Sequence, residues 1–353
     1  MTRAERYQRF LDVDWLLSEL ALVAVLVVYA RRGQAFVRES AAGPVGTGML
    51  LGMLGLAIVW LVRVPFGLAA HWWDRRHGVT SLGYLSWLVS DWAQLGAEFV
   101  AICIALGIVM ALARWLGETW WLPGAAVFVA IAAAFSFASP YLFFGTKPLR
   151  DEALAASAVR YERAQHLPHI PIRVEEVSDE TQQANAFSFG LGPSRRVVLW
   201  DTLLREPFTL GEQQVVVAHE LGHLSSRHIP KGLAWFALFA LPGAWIVIRT
   251  TRRRGGMGEP QAVPLALLVV VLLQLAATPV QNWISRRMEA EADWKALQTT
   301  RDPRSFEKLM VDSTRSSLED PDPPTWAYLF LTDHPTDVQR VAMARAWARR
   351  ASR

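Results

Sequence analysis

The stretch VPLALLVVVLLQLAATPVQNWISRRMEAEAD, residues 263–293, changes character at Ser285. Up to Ile284 it is an almost unbroken apolar run, long enough to cross the hydrocarbon core of a bilayer, which takes about 20 residues as a helix. After it come Arg286 and Arg287, then Glu289, Glu291 and Asp293 spaced by alanines. The chain leaves a membrane at this point, and carboxylates stand just beyond the exit.

Further apolar blocks repeat the pattern. With a window of about 19 residues, candidate spans lie near Asp14 to Ala30, Met49 to Ala70, Gln94 to Ala113, Leu122 to Phe144, Leu233 to Ile248 and Val263 to Ile284. Arg63 interrupts the second, and Pro242 with Gly243 interrupts the short fifth, which leaves a buried soluble helix as its alternative. The first carries Asp14 and Glu19 and lacks a clear cleavage site after it, so it reads as a retained span rather than a signal peptide. The expected fold is mainly α: a polytopic helical membrane protein of about six spans.

Composition agrees. The 353 residues are 52% hydrophobic with 16 tryptophans, and the apolar residues are gathered into blocks rather than spread as in a soluble core. Cys103 is the single cysteine and falls inside a span, which excludes a disulfide framework and a thiolate metal site. The net charge of +4 comes from residues scattered at span ends, where they meet lipid headgroups, not from a nucleic-acid footprint.

Two polar stretches can fold outside the bilayer: residues 145–231 and 285–353. The expected organisation is four spans in residues 1–144, a first catalytic segment in 145–232, a two-span hairpin in 233–284 and a second catalytic segment in 285–353. The first polar stretch reads as a helix over Asp151 to Gln165, a strand in IPIRVEEV, and further extended chain in NAFSFG and RRVVLWDTLL. Thr209 stands three residues before Glu212, a capping box that starts a helix, and Pro230 is expected to end it.

That helix contains VVVAHELGHLSSRH, residues 215–228. His219 and His223 lie one turn apart on one face, so both imidazoles can reach a single ion, while Glu220 lies beside them as a base for a metal-activated water. On a continuous helix His228 points about 140° away from His223 and is not expected to be a ligand. Catalytic zinc takes three protein ligands, and the third is expected from the opening stretch. Glu289 and Asp293 are one turn apart there, so Glu289 can bind the metal while Asp293 orients a ligand histidine. Glu291 points about 200° from Glu289 and is the weaker candidate. Two spans separate His223 from Glu289, and an even number returns the chain to the same side.

With these residues assembled, the chain resembles the type I CAAX prenyl proteases, integral-membrane zinc endopeptidases. The resemblance runs from about Val64 to Arg340: VPFGLAAHWWDRRHGVTSLGYLSWLVSDW, KPLRDEAL, NAFSFG, RRVVLWDTLL, HELGH, SRRMEAEAD and DHP follow in the family's order. It implies a small α+β gluzincin-type protease unit built from the loop after the fourth span and the C-terminal tail. It implies one zinc on His219, His223 and Glu289, with Glu220 as general base and Asp293 behind a ligand histidine. His334 and Arg340 would stabilise the reacting carbonyl, and Asn185, Ala186 and Phe187 would hold the substrate backbone.

The resemblance also implies a peptide or protein substrate, membrane-associated or lipidated, and a cytoplasm-facing catalytic side in the plasma membrane. Thr336 stands where relatives often have a second proline, and His334 can also be read as a helix-start residue. Asn185 can be read as a turn residue before its strand. Two other readings compete: an HtpX-type quality-control protease, and a transporter that binds an ion without catalysis. Oligomeric state is not legible.

Overall fold

The computed structural model describes residues 3–33, 35, 37, 42–142 and 145–352, with residues 91–98 described by their backbone alone. Phe143 and Phe144, the end of the fourth expected span, lie outside the described residues.

Apolar runs without a regular polar face become long helices, because in lipid a backbone must satisfy its own hydrogen bonds. The first four are α1 (Arg3–Arg32), α2 (Gly43–His77), α3 (Tyr84–Leu116) and α4 (Trp121–Leu142). Later come α7 (His228–Thr251) and α8 (Val263–Thr300). Among the described residues these supply six helices long and apolar enough to span a membrane. Their outward faces carry exposed Leu20, Leu61, Ile104, Phe135 and Leu238, as lipid-facing surfaces do.

The helices approach closely where side chains are small. A Cβ on Gly52 would meet Leu106 of α3 at 2.3 Å, and one on Gly55 would meet Leu267 of α8 at 2.5 Å. The charge that interrupts the second span is paired with the neighbouring helix: Arg63 Nη2 donates to Glu19 Oε1 of α1 at 2.9 Å. The fifth span runs unbroken through Pro242 and Gly243.

The two polar stretches share one core. The first gives β1 (Lys147–Pro148), α5 (Glu152–Ala164), β2 (Ile172–Glu175), β3 (Ala186–Phe189), β4 (Arg196–Trp200) and α6 (Leu210–Ser225). The second follows the C-terminal part of α8 with α9 (Pro303–Ser317), α10 (Thr325–Phe330) and α11 (Asp337–Ala351). The sheet order is β1-β2-β4-β3, with β2 and β4 parallel and the other pairs antiparallel, so β3 is an edge strand. Leu154, Val197, Leu199 and Leu221 pack with Leu297, Phe306 and Ala344 in a single cluster.

At the centre α6 lies against α8. A Cβ on Gly222 would sit 3.1 Å from the carbonyl oxygen of Ala292, so glycine is what lets the two backbones meet there. The expected capping box holds: Thr209 N donates to Glu212 Oε2 at 2.8 Å, and Lys308 Nζ of α9 donates to the same oxygen at 2.7 Å.

One expectation is corrected. Helix α6 ends at Ser225, not at Pro230; Arg227 adopts a left-handed conformation (φ 56°), and Pro230 falls in the first turn of α7, where a missing N–H costs nothing. The expected boundary at 284/285 falls inside α8, one unbroken helix that carries the sixth span straight into the polar core.

Candidate metal centre

The capped start of α6 and its contact with α8 place three side chains around one point. His219 Nε2 and His223 Nε2 are 2.9 Å apart, His219 Nε2 is 3.2 Å from Glu289 Oε2, and His223 Nε2 is 3.4 Å from Glu289 Oε1. One donor atom from each residue lies within 4.8 Å of the others, and among the described residues this is the cluster able to hold a metal. His219, Glu220 and Glu289 are buried.

The outer ring nitrogens also have partners. His219 Nδ1 lies 2.9 Å from Oδ1 of Asp293, a completely buried carboxylate. Arg340 of α11 forks onto Asp293, with Nε donating to Oδ2 at 2.8 Å and Nη2 to Oδ1 at 2.7 Å. His223 Nδ1 is 2.9 Å from His228 Nδ1. The Nε2 atoms of both rings face inward, beside the Glu289 carboxylate.

The electrostatics follow. Burial works against a charged His219, but the carboxylates of Asp293 and Glu289 outweigh it and push the imidazole up to about 10. Such an uplift marks excess negative potential at the point where the three residues meet. Glu289 Oε2 is buried without a hydrogen bond, although His219 Nε2 stands nearby, because the contact lacks hydrogen-bond direction. Two imidazole nitrogens and a carboxylate converging on one point, with that excess of negative potential, fit a metal cation.

On the open side stands His334, half-exposed, with Nε2 3.3 Å from Glu289 Oε2 and Nδ1 2.7 Å from Asp333 Oδ1. Burial opposes its charged form, but Asp333 and Glu289 outweigh it and raise the imidazole above its ordinary value. Thr336 caps α11 through a box with Gln339, which fixes the turn after His334.

Arg340, expected to face the reacting carbonyl, instead lays its guanidinium on Asp293. The physical reason is burial: a carboxylate without water needs charged partners, and Asp293 has Arg340 as well as His219. Asn185 stands just before β3 rather than in it; its carbonyl accepts from Trp200 N at 2.9 Å, and its side-chain oxygen from Ala186 N at 2.8 Å. Ala186 and Phe187 open the edge strand, which packs against α6.

The residue that sequence reasoning set aside is His228. The 140° separation assumed one continuous helix, whereas the break at Arg227 turns His228 back onto His223. The available signal was Pro230, which fits the first turn of a new helix better than the end of an old one.

The chain is similar to known peptidases. The model of peptidase family M48 matches residues 148–348. The chain is 25% identical over 303 residues to the uncharacterized metalloprotease YhfN of Bacillus subtilis (strain 168), covering 81% of this chain and 70% of that protein. It is 26% identical over 216 residues to a CAAX prenyl protease 1 homolog of Oryza sativa subsp. japonica, covering 57% of this chain and 49% of that protein. The crystal structure of S. mikatae Ste24p superimposes with a TM-score of 0.76 at 20% identity, covering 96% of this chain and 85% of that one, which establishes the shared fold.

Proposed function

The chain belongs to peptidase family M48, and from that premise we propose that this multi-pass membrane metalloprotease is a zinc-dependent endopeptidase acting on membrane-associated, lipid-bearing peptides. The observation that carries the assignment is the meeting of His219, His223 and Glu289 from two helices, with an open side toward His334. Two imidazoles and one carboxylate are a ligand set of catalytic zinc, which keeps a fourth position free. Bound there, zinc supplies Lewis-acid polarisation of the scissile carbonyl and a lowered pKa for its water.

The residues of the chain do the rest. Glu220, buried on α6 next to His219, takes a proton at its carboxylate and returns it to the leaving amine. Asp293, held by Arg340, keeps Nε2 of His219 directed inward. His334 donates toward the carbonyl oxygen as negative charge develops on it. A substrate extended along Asn185, Ala186 and Phe187 adds a strand to the edge of the sheet, so main-chain hydrogen bonds hold many sequences in register.

An apolar cavity of about 530 Å³ supports the lipid-bearing class. It lies between α2, α3, α4, α7 and α8, is lined by Leu56, Leu106, Phe128, Phe236 and Phe239, and extends to Gln281 on the helix that carries Glu289. From the resemblance to the CAAX prenyl proteases we place the catalytic side on the cytoplasmic face of the plasma membrane.

The test uses the full chain in liposomes and two peptides of identical sequence, one carrying a farnesylated cysteine. Chelator-sensitive cleavage with kcat/KM higher by at least about tenfold for the farnesylated peptide is expected, a difference that burying about two methylenes already provides. Equal cleavage of both would move the assignment to quality control of the HtpX type. Absence of chelator-sensitive cleavage would remove the endopeptidase reading itself.

A further inference from the structure

His228 is buried, lies outside the metal triangle and is used by no step described above. Its Nδ1 faces Nδ1 of His223 at 2.9 Å, and its Nε2 faces Glu291 Oε2 at 3.3 Å. Glu291 in turn accepts from Lys231 Nζ at 2.9 Å. Three elements build the arrangement: α6 brings His223, the first turn of α7 brings His228 and Lys231, and α8 brings Glu291.

The proton positions follow from the contacts. Two ring nitrogens at hydrogen-bond distance must share one proton, since two lone pairs would repel. His223 turns Nε2 inward to Glu289, so as a metal ligand it carries no proton there and its proton sits on Nδ1. That N–H donates to Nδ1 of His228, which must therefore be bare. The proton of His228 is then on Nε2, where the Glu291 carboxylate accepts it.

The two ligand histidines are thus oriented by different means. His219 is held by a buried carboxylate locked by Arg340, whereas His223 is held by a second histidine whose tautomer a surface ion pair sets. The side chain of Glu291 is 43% exposed and that of Lys231 46% exposed, so the outer end of the second chain meets water while its inner end meets the metal ligand.

We propose that His228 is a positioning residue. By accepting the Nδ1 proton of His223 it fixes that ligand's ring and tautomer, and Glu291 fixes His228 in turn. The proposal rests on the reading of the site as a zinc centre and adds a residue to it. Outer hydrogen-bond partners of ligand histidines are worth about 10–100-fold in metal affinity.

The test measures the zinc dissociation constant of the detergent-solubilised full chain by competition with a chromophoric chelator, alongside thermal melting of the metal-free protein. His228→Leu, which removes the acceptor, is expected to weaken zinc by about 10–100-fold. His228→Asn places an amide oxygen close to the lost Nδ1 and is expected to stay within about threefold of the parent, because the acceptor is what counts. Should the leucine variant fail to fold, Glu291→Leu, at a half-exposed position, is expected to weaken zinc several-fold.

A packing role alone would make asparagine as damaging as leucine, and that result overturns the proposal. So does unchanged affinity in His228→Leu or in Glu291→Leu. If Glu289→Ala binds zinc as tightly as the parent chain, the underlying zinc reading fails, an outcome separate from either.

Discussion

Glu220→Gln is expected to lower kcat by at least about a thousandfold while leaving one zinc per chain in place. General acid–base catalysis contributes about 10²–10⁴-fold, and here one carboxylate serves in both directions of proton transfer. Glutamine keeps the shape of the side chain but cannot take the proton. The metal stays because Glu220 is not one of the three residues whose donor atoms converge. Burial adds a stability term in the same direction: a neutral amide at a buried position is cheaper to desolvate than a carboxylate, so the variant is expected to melt no lower than the parent. Peptide cleavage and metal analysis on one preparation check both halves. Activity near the parental level would remove Glu220 from the chemistry, and loss of zinc would make it a ligand.

Glu289→Ala is expected to lose the metal. His219 and His223 sit on the same helix and reach the site from one side, so Glu289 alone closes it from α8. Removing it leaves a two-ligand site on a single helix face, and the loss of affinity should exceed the roughly 100-fold upper value for an outer partner. Zinc content after dialysis should fall to a small fraction of one per chain. Glu291→Ala, two residues along the same helix, should instead stay within the smaller range expected of an outer partner, since its side chain meets Lys231 and His228 and not the triangle. Retention of full zinc by Glu289→Ala, with loss in Glu291→Ala, would exchange the two assignments.

Much of this was legible because helical periodicity is local. A polar histidine pair four residues apart in an apolar segment, and a carboxylate pair four apart after a span, each point to one face of a helix without knowledge of the fold. The spans were legible for a similar reason: a bilayer demands length and apolarity and little else. The Arg63 interruption resolved into a pair with Glu19 that only helix packing could reveal. The resemblance to the CAAX prenyl proteases read from NAFSFG, HELGH and SRRMEAEAD is borne out by the match to family M48 and by the shared fold.

What escaped the sequence was set by tertiary choices. Arg227 takes a left-handed conformation that its residue type does not favour, and this one backbone choice moves His228 from the far side of a helix onto His223. Arg340 sits 47 positions from Asp293, and its partner follows only from how α11 lies on α8. Nor does any local signal distinguish a span followed by a separate helix from the single helix α8. That continuity matters, since it carries Glu289 from the membrane bundle to His219 and His223.

The central claim is that one zinc held by His219, His223 and Glu289 is required for peptide-bond cleavage. The most direct measurement strips the purified full chain with a chelator, removes the chelator, and titrates zinc back while following cleavage of a membrane-anchored peptide. Activity should be absent at the start, rise in proportion to added zinc and level off at one equivalent per chain. Cleavage that survives verified metal removal would contradict the account.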